Sequence, residues 1–301
     1  LFDDMQINSK WYYPFAAEKE ILEVHGRDIV STMLSRCTGD ENASGTQIML
    51  ELGSGSLRKS TILLGALAEE LDARLAAPSM SYLALDLQKN ELVRTLGDLL
   101  SSSVGVALKG RVNIRGLVGT YKGSIRFVEK GGLSWLTGVL TPPKEGMFSI
   151  PDALHIVSLG NSMANFDTRA EAAAFLRTLP LRKPGDTFLM GLDHANDPKK
   201  IAIAYDDPEG YMYRIAINTL AAAGRTMGDE SLLVGKWEPY SKYVENEREF
   251  TTAMQHATVW FIFRIQAASK KGMLQLKTTS CLVSGSAKGK KKCSARAGRL
   301  A

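Results

Sequence analysis

Residues 47–60 read QIMLELGSGSLRKS, and the order of residue types in this stretch decides the fold. Positions 47–52 are a short apolar run of strand formers that closes on Glu51 and Leu52 and gives way to Gly53-Ser54-Gly55. Leucines then recur at 57, 63, 64, 67 and 71, the spacing of one buried helical face. Strand, glycine turn and helix in succession form the opening unit of a doubly wound nucleotide-binding sheet. The glycines allow a sharp turn and let a ligand approach the backbone where a Cβ would block it. The helix start behind them offers N–H groups without intrahelical partners to ligand oxygens.

Several ligand classes compete for this loop. A dinucleotide fingerprint wants a third glycine at position 58, where Arg58 stands. A phosphate-cradling GxxxxGK[ST] loop comes within one residue of 53–60, and Arg58 again replaces the required glycine. An acid entering a GxG turn, with a second acid closing the next strand, suits S-adenosylmethionine. That nucleoside carries a cationic sulfonium and amine and no phosphate, so carboxylates are favourable beside it. Glu51 is the first acid; the second is Asp86, which closes the strand pattern SYLALDL at 81–87 and is placed to take both ribose hydroxyls. An ordinary glycine turn in some other α/β protein is the plain alternative.

Working outward, strand patterns over 111–118, 153–159 and 187–192 alternate with helical ones over 90–100, 133–140 and 168–176. The run ALHIVSL at 153–159 is nearly continuous in apolar residues, as a strand covered on both faces should be. This alternation predicts an α/β fold with a parallel sheet and right-handed crossovers, with ligands bound beyond the carboxyl ends of the strands. The polar residues found there are Glu51, Asp86, Asn161, Asn165, Asp193 and His194. Each serves equally well as a turn former or helix cap, and Asp167 or Thr168 is suited to cap the next helix. Near the start, Trp11-Tyr12-Tyr13 and Pro14 open a helix whose face carries Glu18, Ile21, Leu22, His25 and Ile29; the aromatic trio reads as a plug on the core. Beyond Lys200, helices are expected over 201–207 and 211–220, an aromatic and charged stretch covers 237–250, and a β-rich run covers 258–265. Tyr205, Tyr211 and Tyr213 suit core packing or a binding lid.

The 301 residues are 45% hydrophobic and 23% charged, the balance of a soluble globular protein. No apolar run reaches the roughly 18 residues that a membrane span needs. Three cysteines without a CxxC spacing argue against a disulfide framework or zinc site and fit a reducing, cytoplasmic compartment; the four histidines make no HxxxH pair. The net charge of +5 is misleading. Residues 267–301 hold nine Lys or Arg and no acid, leaving 28 basic against 32 acidic residues elsewhere, so the body has no nucleic-acid signature. The segment 267–301 has the composition of a disordered basic tail, either solvated or in contact with nucleic acid or membrane.

With these residues placed, the chain resembles the histidine-specific S-adenosylmethionine-dependent methyltransferases. That family includes the Nα-trimethylating enzyme of ergothioneine synthesis and a fungal N-methyltransferase of dimethylallyltryptophan. The likeness runs from residue 1 to about 250, some four fifths of the chain. It is carried by LFDDM, YYPFAAEKEIL, ELGSGSLRKS, YLALDL, GLVGTY, SLGNSMANF, FLMGLDHANDP and AYDDPEG in that order. The PFAAE wording is similar to fungal members more than to bacterial ones.

The resemblance implies a doubly wound, Rossmann-like methyltransferase domain over 21–195. It also implies a smaller substrate-binding domain from 1–20 plus 196–266, with 267–301 left as tail. It implies S-adenosylmethionine as cofactor, held by Glu51, Gly53, Gly55, Lys59 and Asp86, with the adenine passed by Gly116 and Leu117, taken as following the third strand. A small-molecule amine substrate, histidine or a tryptophan derivative, would be held by Tyr12, Gly160, Asn165 and Tyr205. The expected reaction is α-amine methylation by positioning alone, with no metal and no covalent intermediate. This sequence departs from the family at Ala164, where a glycine is usual. It also lacks an ExSxK-type segment after Phe250, and the upstream segment that adds a cofactor-contacting tyrosine in relatives is absent from this sequence, which begins at Leu1. These departures leave a second expectation beside the enzyme, a truncated relative that binds cofactor without turnover.

Overall fold

The computed structural model describes residues 5–6, 8–35, 46–74, 79–130, 132, 153–161, 166, 169–193, 196–228, 238–244, 249–256, 259–266 and 275–277. The predicted helix over 133–140 and the residues Asn165 and His194 lie outside them. The chain divides into two compact units, one of residues 17–162 and 173–191, the other of 1–16, 163–172 and 192–301.

The first unit is built on five parallel strands: β1 (Thr46–Leu52), β2 (Ser79–Asp86), β3 (Val112–Val118), β4 (Ala153–Ser158) and β5 (Thr187–Met190). Their order across the sheet is β3-β2-β1-β4-β5, so the chain moves outward from β1 in one direction and then returns to its other side. That reversal creates a crevice at the carboxyl ends of β1 and β4, the usual ligand position in doubly wound sheets. The sheet is therefore the Rossmann-like one expected.

Why these segments take these forms is local. Helix α1 (Tyr13–Ser35) starts with Pro14 in its first turn, where a missing N–H costs nothing. Helix α2 (Arg58–Ala73) buries Leu63, Leu64, Leu67, Ala68 and Leu71. Each leucine contributes about 1.5–3 kcal/mol by leaving water. Between β2 and β3 lie α3 (Lys89–Ser101) and α4 (Ser103–Leu108), the latter capped by the Ser102 hydroxyl accepting from the Gly105 N–H. Helix α5 (Tyr121–Glu129) follows β3, with the Thr120 hydroxyl accepting from the Gly123 N–H. Helix α6 (Arg169–Arg177) precedes β5.

One core cluster joins Leu22, Val30, Met33 and Leu34 of α1, the α2 leucines, and Met49, Tyr82, Ala84 and Val157 of the sheet. Every residue of β4 is buried, as its apolar run required. Towards the amino ends of the strands, His155 is fully buried between the Thr187 hydroxyl (2.8 Å from Nδ1) and the Gln47 side-chain oxygen (3.2 Å from Nε2). Burial holds the imidazole down to about 4, with Asp186 opposing, so it is neutral at physiological pH.

The second unit carries α7 (Pro198–Tyr205), α8 (Tyr211–Met227) and a separate antiparallel sheet. Asp197 caps α7 by accepting from the Lys199 N–H. Asp207 caps α8, its two oxygens accepting from the N–H groups of Tyr211 (2.9 Å) and Met212 (2.8 Å). The sheet runs β6 (Glu238–Val244), β7 (Glu249–His256), β8 (Val259–Gln266) and β9 (Gln275–Lys277), in that order. The stretch 237–250, to which the sequence assigned no element, thus contains β6 and opens β7. Strand β9 falls inside the segment whose composition reads as tail; its backbone pairs with the open edge of β8, from Arg264↔Lys277 to Gln266↔Gln275. Composition does not register strand pairing, which depends on residue order and register.

Candidate functional site

The glycine turn after β1 is left-handed at Gly53 (φ 72°), Gly55 (φ 52°) and Leu57 (φ 59°). The first two angles suit glycine, whereas Leu57 adopts its angle against its own preference. The N–H groups of Gly53 and Ser54 both donate to the Leu85 carbonyl at 3.0 Å. The Gly55 N–H donates to Asp86 Oδ2 at 3.0 Å, and Asp86 Oδ1 accepts from the Gln88 N–H at 3.0 Å. The Asp86 carboxylate therefore faces the glycine turn, with a further lone pair on each oxygen.

At Gly55 a Cβ would meet none of the described residues within 4 Å, so the turn is open there. The Ser54 hydroxyl in the turn and the Ser158 hydroxyl at the end of the adjacent strand β4 are both buried without a hydrogen-bond partner among the described residues. Helix α2 begins behind Leu57 with no side-chain cap hydrogen bond among the described residues. A ribose diol and a zwitterionic amino-acid tail fit this set of groups. A phosphate would face the Asp86 carboxylate.

Glu51 lies deeper than the sequence suggests. It is 2% exposed, Oε1 accepts from the Ser60 hydroxyl at 2.8 Å and Oε2 accepts from the Tyr82 hydroxyl. Burial raises its carboxyl to about 7, against the opposing hydrogen bonds from Tyr82 and Ser60 and the charge of Lys59. It ties β1, β2 and the first turn of α2 together beneath the loop, and its two oxygens are already engaged by protein hydroxyls.

Lys59 and Gly160 converge although their sequence positions are 101 apart. The Lys59 ammonium pairs with Glu18 of α1, and both Glu18 oxygens accept from the Gly160 N–H at 2.9 Å. Glu18 belongs to the PFAAEKEIL motif but was not among the expected site residues; its helical spacing had marked it only as part of a helix face. Tyr121 is a second omission. Its hydroxyl lies over Gly53, where an added Cβ would come within 2.5 Å of it, and its ring packs on Phe175 at 5.9 Å. The GLVGTY motif ending on this tyrosine was the available signal.

Gly116 and Leu117 lie inside β3, not beyond it. A Cβ on Gly116 would sit 2.8 Å from Leu96 Cδ1 and 3.0 Å from Leu92 Cδ2, so close packing of α3 already accounts for the glycine.

In the second unit, Tyr12 and Tyr205 meet edge to face with ring centroids 5.9 Å apart. Tyr205 is buried, which pushes its hydroxyl well above the usual phenol range. Tyr13 donates to Asp193 Oδ2 at 2.5 Å; burial, reinforced by Asp193, raises its hydroxyl too. Lys200 Nζ stands 4.4 Å from the Tyr13 ring centroid. Tyr205 is thus part of a packed aromatic cluster with Tyr12, Tyr13 and Ile201.

Among the described residues no helix is long and apolar enough to cross a membrane. Comparison with known proteins places these features. Residues 1–280 match the family model described as "Histidine-specific methyltransferase, SAM-dependent". An L-tryptophan methyltransferase, trpM, of Psilocybe serbica is 35% identical over 262 residues, which cover 85% of this chain and 67% of that protein. Ergothioneine biosynthesis protein 1 of Neurospora crassa is 32% identical over 78% of this chain and 22% of its own length. A histidine N-alpha-methyltransferase of Mycobacterium tuberculosis is 26% identical over 78% of this chain and 61% of its own length. The chain thus spans two thirds or less of the length of these relatives. The glycine turn facing a strand-end aspartate, the β3-β2-β1-β4-β5 sheet and the match over 280 residues lead to one assignment: this chain belongs to the histidine-specific, S-adenosylmethionine-dependent methyltransferase family.

Proposed function

We propose that this chain methylates the α-amine of an amino acid, a tryptophan-type or histidine-type acceptor, using S-adenosylmethionine. The observation that carries the reading is the Asp86 carboxylate hydrogen-bonded to Gly55 in an open glycine turn. The cofactor supplies an electrophilic methyl group. Asp86 accepts the ribose hydroxyls, Gly55 gives close approach, Gly53 contributes its backbone to the turn beside the Tyr121 hydroxyl, and Lys59 takes the amino-acid carboxylate of the cofactor. Glu51 acts from below, by holding the turn. Tyr121, with its hydroxyl over Gly53, joins this set; Gly116 and Leu117 are kept as adenine contacts by the resemblance alone.

Tyr12, Gly160, Asn165 and Tyr205 are proposed to hold the acceptor. A buried phenol such as Tyr205 stays protonated at physiological pH, so it orients an amine by hydrogen bonding and does not act as a base. The attacking amine must be neutral, and positioning it in line with the methyl group can supply on the order of 7–11 kcal/mol of the barrier reduction. A cytoplasmic setting and a small-molecule substrate belong to the same proposal. The 35% identity to a tryptophan methyltransferase supports testing tryptophan first. No observation favours the alternative of cofactor binding without turnover.

The test is calorimetric binding of S-adenosylhomocysteine, followed by methyl-transfer assays with tryptophan, dimethylallyltryptophan and histidine. Cofactor-product binding with methylation of one acceptor is expected. A chain that does not bind S-adenosylhomocysteine, or binds it and methylates none of the three, would refute the proposal.

A further inference from the structure

Glu18 stands where three loops of the ligand edge meet. Its carboxylate pairs with Lys59 in the first turn of α2, which follows the glycine turn after β1. The same two oxygens accept from the N–H of Gly160, in the turn after β4, which is held left-handed at φ 76°. The third loop begins at Gly191, directly after β5; its N–H donates to the Ser158 carbonyl at 2.9 Å. A Cβ at Gly191 would fall 1.7 Å from Glu18 Oε1, and one at Gly160 would fall 2.9 Å from Lys59 Nζ. Two glycines therefore leave the slot that the carboxylate and ammonium fill. The pair has little contact with water, with side-chain exposures of 16% for Glu18 and 11% for Lys59. A pair so enclosed is screened far less than one on the surface, and breaking one partner strands the other.

We infer that Glu18 is a positioning residue for methyl transfer: its single carboxylate sets the orientation of Lys59 and of Gly160 together. The inference rests on the proposed function, in which Lys59 faces the cofactor and Gly160 the acceptor. Under it, the two sites share one bracket, and the two donors respond differently to its loss. Glu18→Gln keeps an oxygen for the Gly160 N–H but cannot balance the Lys59 charge. Glu18→Ala removes both.

The experiment uses the full chain, with S-adenosylhomocysteine affinity by calorimetry and acceptor KM from initial rates. Glu18→Gln is expected to weaken cofactor-product binding about tenfold, because a charge-assisted contact is lost, while acceptor KM moves less than about threefold. Glu18→Ala is expected to raise both. In a Lys59→Ala background, Glu18→Gln should cost no further affinity, since it acts through the lysine; contacting residues are non-additive in this way. Three results would overturn the inference: affinity and KM within about twofold of wild type in the folded variants, additive losses in the Lys59→Ala background, or tighter binding by Glu18→Gln. The last would make Glu18 a competitor for Lys59, and unchanged constants with a lowered melting temperature would make its role purely structural. Should Glu18→Ala fail to fold, Glu18→Gln and the double variant still decide. A wild-type chain that does not bind S-adenosylhomocysteine overturns the proposed function and this inference with it, whereas normal wild-type binding with unaltered variants overturns this inference alone.

Discussion

Replacing Glu51 by glutamine should change how stability depends on pH, by an amount that follows from its burial. The carboxyl sits 2% exposed beneath the glycine turn and is raised from the ordinary 4.5 to about 7. Between those two values the folded protein retains a proton that the unfolded chain has already released. Stability must then fall as pH rises from about 4.5 to about 7, and level off above that. At about 1.4 kcal/mol per tenfold change in proton binding, the loss amounts to about 3 kcal/mol. Glu51→Gln has nothing to ionise, and its amide can both accept from and donate to the hydroxyls of Ser60 and Tyr82. Relative to the variant, wild type should therefore lose about 3 kcal/mol between pH 4.5 and 8, or roughly 6–12 °C in melting temperature. Urea unfolding of both proteins at pH 5, 6, 7 and 8 measures this difference directly. A difference that stays constant across the range would show that Glu51 does not titrate as a buried acid, and would refute the picture of a desolvated brace under the loop.

Other consequences are as direct. His155 is held down to about 4 from an ordinary 6.5, so stability should be lost as pH falls from about 6.5 towards 4; His155→Gln should flatten that acid limb by about 2–3 kcal/mol in urea unfolding. Asp86→Ala removes the acceptor beside Gly55 and should weaken S-adenosylhomocysteine binding by roughly 10–100-fold in calorimetry; unchanged affinity would reject the ribose assignment. Gly105→Ala would bring a Cβ to 2.2 Å from the Leu99 backbone carbonyl, which no side-chain rotation relieves. It should destabilise by about 3 kcal/mol or more, read as a lowered thermal midpoint. Gly116→Ala meets only the ends of Leu92 and Leu96, and should cost about 1–3 kcal/mol.

Local residue order was enough to read the alternation of strands and helices, the glycine turn, and the placing of Asp86 at the end of the strand beside it. These follow from local periodicity and turn chemistry, which neighbouring residues encode directly. It left the depth of Glu51 undecided, because an acid at a strand end has the same pattern whether it faces a ligand or lies beneath the loop. Tertiary structure decided that, by bringing Tyr82, 31 residues away, onto its carboxylate. It also decided the joining of Glu18 to Lys59 across 41 residues and to Gly160 across 142. The placement of the Tyr121 hydroxyl over Gly53 arose in the same way. Such meetings depend on strand order and register, which link segments distant in the chain, and no local pattern of residue types specifies which of them will touch.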